Sequence, residues 1–160
     1  MPDAALATLG LIGEGVGRAM KATAWNQKTI AEFHAKQGLG VGMWGDHVLL
    51  MTARGAQSGD QITTPLVYGR NGDDYVIVAS KGGAPDNPAW FGNIKVNPAV
   101  EVEVARPGGT ETFRALARVV DDRAERDHLF QEMTLIWPSY ADYQKRTERL
   151  IPVVILKRQA

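Results

Sequence analysis

The feature that most constrains the fold is a succession of short apolar segments joined by tight turns. Asn71-Gly72 is the dipeptide most typical of a β-hairpin turn, and residues 100–104 alternate valine with glutamate without a break. Such alternation predicts a strand with one buried and one exposed face. Further strands are predicted at 48–52, 62–68, 75–80, 112–120 and 153–156. Pro65 lacks an N–H group, so its strand is expected at a sheet edge or a bulge.

Helices are predicted around these strands. Residues 26–37 and about 139–149 have helical character, and Asp122 is placed to cap a helix whose apolar stripe runs from Leu129 to Trp137. Hairpin-linked strands in short succession, with helices inserted late, predict an α+β fold: an antiparallel barrel of about six strands with flanking helices. We expect residues 1–24 to form an N-terminal helix or flexible arm, and residues 25–160 to form the barrel domain.

Composition excludes several classes of protein. The 160 residues carry 18 basic and 18 acidic side chains, so no basic field is available to hold nucleic acid. Cysteine is absent, which rules out disulfides, thiolate metal sites and a thiol nucleophile and is typical of a cytoplasmic protein. The N-terminus lacks the pattern of a signal peptide. We therefore expect a cytoplasmic monomer or homodimer, with association at a membrane surface left open only for the N-terminal helix.

The usual catalytic signatures are also missing. The chain has no G-x-S-x-G elbow, no P-loop and no G-x-G-x-x-G motif. Its three histidines, His34, His47 and His128, lack ligand spacing, so no metal site is expected. What remains is glycine-rich bends, aromatic rings and hydroxyl groups, a set that suits a small-molecule site where a bound cofactor carries the chemistry.

Two stretches allow both a structural and a functional interpretation. In residues 80–98, a glycine bend leads into a short helix predicted to begin with Asn87 as its cap and Pro88 as its first residue. Backbone N–H groups of this bend, with Lys81 beside them, can hold an anion, or the helix simply crosses a barrel mouth. Trp137, Tyr140 and Tyr143 are each three residues apart and form either core packing or a pocket wall.

Three segments together resemble a known family: residues 52–66, residues 80–98 and the Trp137-Pro138-Ser139-Tyr140-Ala141-Asp142-Tyr143-Gln144 stretch. In order and spacing they are similar to the deazaflavin (coenzyme F420)-dependent nitroreductases of actinobacteria, over roughly residues 25–157. The resemblance implies a split β-barrel of the FMN-binding split-barrel type. It also implies an oxidoreductase that transfers a hydride from reduced coenzyme F420 to a quinone, nitroaromatic or activated enone.

The resemblance further implies roles for individual residues. The coenzyme would contact a turn, the strand after it, the end of a later strand, and a helix. These positions are Arg54, Gly55, Gln57, Ser58, Gly59, Pro65, Leu66, Val67, Ala79, Ser80, Lys81, Trp90 and Asn93. Trp137, Tyr140 and Tyr143 would form an aromatic lid that binds the substrate. Tyr143, Tyr140 and Ser80 are the candidate catalytic residues, as donors or polarisers toward the acceptor.

Two positions depart from the family pattern. The family usually has a basic residue where this chain has Gln57 and an arginine where it has Ile62, both facing the coenzyme's phosphate and oligoglutamate tail. Each lost charged hydrogen bond is worth about 1.5–3 kcal/mol. Two alternatives therefore stay open beside an F420 enzyme: an FMN-binding split-barrel reductase, and a non-catalytic cofactor-binding protein.

Overall fold

The alternating segments pair into one curled antiparallel sheet in the computed structural model, which describes residues 22–160. The helices there are α1 (Ala24–Ala35), α2 (Ala89–Val96), α3 (Arg123–Ile136) and α4 (Ser139–Lys145). The strands are β1 (Val48–Arg54), β2 (Gln61–Val67), β3 (Gly69–Asn71), β4 (Asp74–Val78), β5 (Ala99–Arg106), β6 (Gly109–Val119) and β7 (Val153–Arg158). The predicted N-terminal helix or arm falls almost entirely outside the described residues.

The topology forces the sheet to curl. Its strand order is β2-β1-β5-β6-β7-β4-β3, so β2 and β3 occupy opposite edges. Only Tyr68 separates these two strands along the chain, and its N–H donates to the carbonyl of His47 at 2.9 Å. A single residue cannot span an open seven-stranded sheet, so the two edges must approach each other. The predicted antiparallel barrel with flanking helices is confirmed.

The strand count differs from the prediction at one place. The predicted strand 62–68 ends at Val67, and Gly69–Asn71 is a separate strand that pairs with β4 through the predicted Asn71-Gly72 turn. At this break α3 packs directly on Gly69, and only a residue without a side chain leaves room for that contact. A Cβ added there would lie 2.6 Å from the sulfur of Met133. The barrel thus has seven strands among the described residues instead of about six.

The strand residues alternate between the barrel interior and the helices outside. Leu49 and Met51 of β1 are buried inside the barrel, whereas Val48 and Leu50 pack under Phe33 of α1. The outer sides of β4 and β7 are buried in the same way under α3 and α4. β5 alternates buried valines with the half-buried Glu101 and Glu103, so its valine–glutamate pattern does separate two faces, although the polar face is only partly exposed.

The helix starts test two sequence expectations. Asp122 caps α3, with its carboxylate accepting from the N–H of Glu125 at 2.8 Å, as predicted. For α2 the predicted cap is wrong by one residue: Pro88 occupies the N-cap position. Asn87 instead accepts a hydrogen bond from the Arg149 side chain at 2.7 Å. α4 also ends at Lys145 rather than near Arg149, which leaves residues 146–152 as a connecting segment.

Candidate active site

A cleft of about 220 Å³ opens between α1, β2, the segment after β4, α2 and α4. Its walls come from six separate parts of the chain, and most of the residues in them are apolar or aromatic. The lining residues are Trp25, Asn26, Thr29, Trp44, Val48, Pro65, Leu66, Val67, Val78, Ser80, Lys81, Pro88, Trp90 and Tyr140. Such a concave, largely apolar site with a few polar groups is the usual form of a small-molecule site.

One wall is flat and apolar. Pro65, Leu66 and Val67 lie half-buried on the edge strand β2, where a proline costs no ladder hydrogen bond. Trp90 of α2 lies beside them and is 8% exposed, with its ring set edge-on to Phe91. These residues offer a hydrophobic surface to an aromatic ring.

The polar end of the cleft is the Ser80 bend, defined as residues 80–83. Ser80 has right-handed helical backbone angles, and Lys81 follows in the left-handed region with a φ of 46°. This succession turns neighbouring N–H groups toward one concave side, a geometry that binds anions. No hydrogen bond among residues 22–160 uses the N–H groups of Ser80, Lys81 or Gly82, or the hydroxyl of Ser80. The bend therefore offers several unused donors.

Lys81 adds a cation to the bend. Its ammonium group lies 3.0 Å from the carboxylate of Asp86, and both side chains are well exposed. The hydrogen bond from Lys81 holds the pKa of Asp86 below its usual range, so the carboxylate stays ionised at neutral pH. An exposed pair of this kind contributes little to stability, which leaves Lys81 able to exchange Asp86 for a bound anion.

Tyr140 and Thr29 bring buried hydroxyls to this cleft, and that of Thr29 already donates to the carbonyl of Trp25 at 3.4 Å. Tyr140 is 5% exposed, and its ring contacts Phe130 and, edge-on, Tyr143. Burial, with a smaller contribution from Tyr143, raises the pKa of Tyr140 strongly. Its hydroxyl has no hydrogen-bond partner among residues 22–160. A buried phenol that stays neutral and lacks a partner is poised to donate to a ligand in the cleft.

The other two residues of the predicted aromatic lid lie next to Tyr140 but not on the cleft wall. Trp137 ends α3, and its indole N–H lies 3.5 Å from the hydroxyl of Tyr143. Both rings are half-buried and pack against the cluster under α3 and α4. The predicted lid residues therefore form one contact group, of which Tyr140 alone lines the described cleft.

The β1–β2 turn, defined as residues 55–59, is folded onto itself. The N–H of Gly55 donates to the carbonyl of Asp60 at 2.7 Å, and that of Gly59 donates to the carbonyl of Gly55 at 3.1 Å. The N–H of Ala56 donates to the side-chain oxygen of Asn93 on α2 at 3.0 Å. Most of the donors of this turn are consequently already used.

The remaining polar groups of the β1–β2 turn face solvent. Gln57 and Ser58 are exposed, and the exposed Arg54 approaches the carbonyl of Gly59 at 3.4 Å. None of these residues lines the described cleft.

The structure thus brings together seven of the sixteen predicted site residues. Pro65, Leu66, Val67, Ser80, Lys81, Trp90 and Tyr140 share the cleft. The predicted residues off its walls are Arg54, Gly55, Gln57, Ser58, Gly59, Ala79, Asn93, Trp137 and Tyr143. Ala79 is fully buried directly behind the Ser80 bend. The roles of all these residues stay predictions.

Sequence reasoning missed the wall contributed by α1. Trp25 and Thr29 are one helical turn apart and line the cleft together with Asn26 and Trp44. The i, i+4 spacing of Trp25 and Thr29, the first lying just before the helix predicted over residues 26–37, was the available signal. It did not identify them, because the same spacing describes any buried helix face.

Two expectations from composition can be compared with the described residues. Within residues 22–160, no three histidine or carboxylate side chains are grouped closely enough to hold a metal ion. No helix in that part of the chain is long and apolar enough to cross a bilayer. The prediction of a monomer or homodimer stays a prediction.

The chain matches the family model described as F420H(2)-dependent quinone reductase over residues 25–158. An F420H(2)-dependent quinone reductase of Mycobacterium tuberculosis (strain H37Rv) is 42% identical over 115 residues, which are 69% of this chain and 73% of the relative. The matched segment covers more than two thirds of each chain, so the two proteins can be compared as whole domains.

Solved structures show the same likeness. An F420-H2-dependent reductase is 35% identical with a TM-score of 0.62, covering 69% of this chain and 94% of the other. A domain-swapped dimer is 34% identical with a TM-score of 0.64, covering 83% of this chain and 97% of the other. A haem storage protein at 15% identity and a TM-score of 0.54 shares the fold alone.

Proposed function

The chain belongs to the F420H(2)-dependent quinone reductase family, and from this premise we propose that the cleft is its active site, with Tyr140 as the hydrogen-bond donor to the acceptor oxygen. The protein is an oxidoreductase whose cofactor is reduced coenzyme F420. The coenzyme supplies the hydride when it is bound. The residues of this chain must therefore bind it, orient an acceptor, exclude water and stabilise the negative charge that develops on the acceptor oxygen.

The donor set of the cleft fits this coenzyme. An engineered cavity of about 150 Å³ binds benzene, so a cleft of about 220 Å³ takes a flat ring system. Pro65 to Val67 and Trp90 provide the apolar surface for that ring. The free amides of the Ser80 bend, with Lys81, match the anionic portion of the coenzyme.

The observation that carries the proposal is the hydroxyl of Tyr140, which has no hydrogen-bond partner within residues 22–160. A quinone reduced by two electrons gains a hydride equivalent and a proton on oxygen. Burial raises the pKa of Tyr140 and keeps it protonated, so its hydroxyl can donate a hydrogen bond to a quinone oxygen and stabilise the negative charge that develops there as the hydride arrives. Solvent supplies the proton that completes the hydroquinone when the product leaves the cleft. Ser80 offers a second hydroxyl across the cleft.

Tyr143 has a supporting role in this proposal. Its ring fixes Tyr140 from the side at a centroid distance of 6.1 Å, and its own hydroxyl faces Trp137. The same arrangement of a flat apolar wall and one hydroxyl donor would also serve nitroaromatic and activated enone acceptors, because each develops negative charge on oxygen during reduction.

The test is Tyr140→Phe, which removes the hydroxyl and keeps the ring. We expect kcat for quinone reduction to fall by about 10²-fold while the Kd for coenzyme F420 stays within about twofold. FMN titrated in parallel should bind far more weakly than F420 to both proteins.

The matched control is Tyr75→Phe, which removes the hydroxyl of a tyrosine buried inside the barrel and bonded there to Arg106. It should lower Tm without changing turnover. Normal turnover in Tyr140→Phe would refute the proposal. A 10²-fold loss of turnover in Tyr143→Phe instead would assign the donor role to Tyr143.

A further inference from the structure

Arg149 lies on the segment between α4 and β7, and its side chain hydrogen-bonds to residues within and on both sides of the Ser80 bend. Its Nε donates to the carbonyl of Ala84 at 2.8 Å, and its Nη2 donates to the carbonyl of Ser80 at 2.8 Å. Its Nη1 donates to the side-chain oxygen of Asn87 at 2.7 Å and reaches the carbonyl of Ala79 at 3.3 Å. One guanidinium thus binds four acceptors within residues 79–87.

These bonds determine which way the amides of the bend point. The C=O of one residue and the N–H of the next belong to a planar trans peptide and point in opposite directions. Because Arg149 binds the carbonyls of Ala79 and Ser80, the N–H groups of Ser80 and Lys81 point away from it. Those two N–H groups have no acceptor among residues 22–160, and both residues line the cleft.

The charge of Arg149 also makes these N–H groups better donors. Its hydrogen-bond partners among residues 22–160 are neutral oxygens, and a cation bonded to a peptide carbonyl polarises that peptide and strengthens its N–H as a donor. A lysine could not replace this arrangement, because only the planar fork of arginine presents donors in several fixed directions.

Arg149 is itself held by the helix that carries Tyr140. The side-chain amide of Gln144 on α4 donates to the carbonyl of Arg149 at 2.7 Å and accepts from the N–H of Ile151 at 3.0 Å. Gln144 also accepts from the buried Arg126 of α3 at 2.9 Å. The bend and α4 are therefore coupled through Arg149 and Gln144.

We propose that Arg149 is a positioning residue that aims the amides of Ser80 and Lys81 at the anionic portion of the coenzyme. This inference rests on the proposed function of the cleft. It adds a residue that never touches the coenzyme but sets the geometry of the part that does, and it places a fixed positive charge behind the Ser80 bend.

The experiment compares Arg149→Lys with the wild-type protein. Without coenzyme, hydrogen exchange should quicken about tenfold at the amides of Gly83 and Ala84, which donate within the bend, and stay unchanged in β5. In fluorescence titration the Kd for coenzyme F420 should rise roughly tenfold. The KM for the coenzyme should rise likewise, with the KM for the quinone unaffected.

The control is Arg118→Lys, which changes an exposed arginine bonded to Glu125 through both Nη atoms. It should alter neither exchange at the bend nor coenzyme affinity. A second variant, Asn87→Ala, removes a single acceptor of Arg149 from an exposed position. It should raise the Kd about threefold, and it decides the question if Arg149→Lys fails to fold.

Two results would overturn the inference. One is faster hydrogen exchange in the bend together with a coenzyme Kd within twofold of wild type in both Arg149→Lys and Asn87→Ala. That result would mean that Arg149 has only a structural role. The other is faster exchange throughout the barrel, which would mean global destabilisation. Failure of the wild-type protein to bind coenzyme F420 would instead refute the proposed function, so the two failures are distinguishable.

Discussion

Two glycine-rich segments follow buried strands of this barrel, and the N–H and C=O groups of their backbones find hydrogen-bond partners in opposite ways. The β1–β2 turn uses its own groups: Gly55 bonds to Asp60, and Gly59 bonds back to Gly55. The Ser80 bend is held from behind by Arg149, a residue far along the chain. As a result the turn has few donors to offer, while consecutive N–H groups of the bend, beside the cleft, have no acceptor among residues 22–160.

The comparison teaches that a glycine-rich loop after a strand is not in itself an anion site. What matters is which groups satisfy the carbonyls and which N–H groups are left over. In the β1–β2 turn, Arg54 approaches the carbonyl of Gly59 and Asn93 takes the N–H of Ala56. In the Ser80 bend a guanidinium takes the carbonyl of Ser80, and the N–H groups of Ser80, Lys81 and Gly82 have no acceptor among residues 22–160, so they are left to a ligand.

Glycine substitutions should separate the two segments most strongly. Gly83 has a φ of 85°, and a Cβ there would lie 2.6 Å from the backbone oxygen of Tyr143. Gly59 has a φ of 74° with open space around it. We expect Gly83→Ala to cost about 3 kcal/mol of stability, from backbone strain and a clash, and Gly59→Ala about 1 kcal/mol, from strain alone.

Melting temperature measures the difference. For a domain of this size, these costs correspond to drops of roughly 6–12 °C for Gly83→Ala and roughly 2–4 °C for Gly59→Ala. Equal drops would show that the bend is not locked against α4, and the contrast between the two segments would then lose its structural basis.

Charge reversal should show whether the Ser80 bend meets the anionic portion of the coenzyme. Lys81→Glu places an anion beside the free amides of the bend, so we expect the Kd for coenzyme F420 to rise about 10²-fold. Lys157→Glu makes the same change at an exposed residue of β7 and should leave the Kd unchanged. Isothermal titration of both variants checks this. An equal, small effect in the two would mean that the bend does not meet the anionic portion of the coenzyme.

The sequence predicts the barrel well because each prediction there depends on local chemistry. Asn71-Gly72 forms the hairpin turn, Pro65 lies on an edge strand, and Asp122 caps α3. The break after Val67 was missed because it depends on Met133 packing onto Gly69, a contact between residues distant in sequence.

The candidate site is less predictable for the same reason. The strand-end residues Ser80 and Lys81 could be identified because a glycine bend marks them in the sequence. Trp25 and Trp44 come to the cleft only through the packing of α1 and the segment after it, which no local pattern encodes. Arg149 is harder still, because its four acceptors lie more than 60 residues earlier in the chain.

The last prediction asks whether the β1–β2 turn can be made to act like the bend. Gln57→Lys combined with Ile62→Arg restores cations where the family usually has them, on an exposed turn residue and a half-buried strand residue. If this turn meets the coenzyme's phosphate, the two cations should tighten binding of coenzyme F420 about tenfold, with a steeper dependence on salt. Titrations at low and high ionic strength measure both quantities. An unchanged Kd in the double variant would mean that the turn lies outside the coenzyme site and that the Ser80 bend, positioned by Arg149, holds the anionic portion without it.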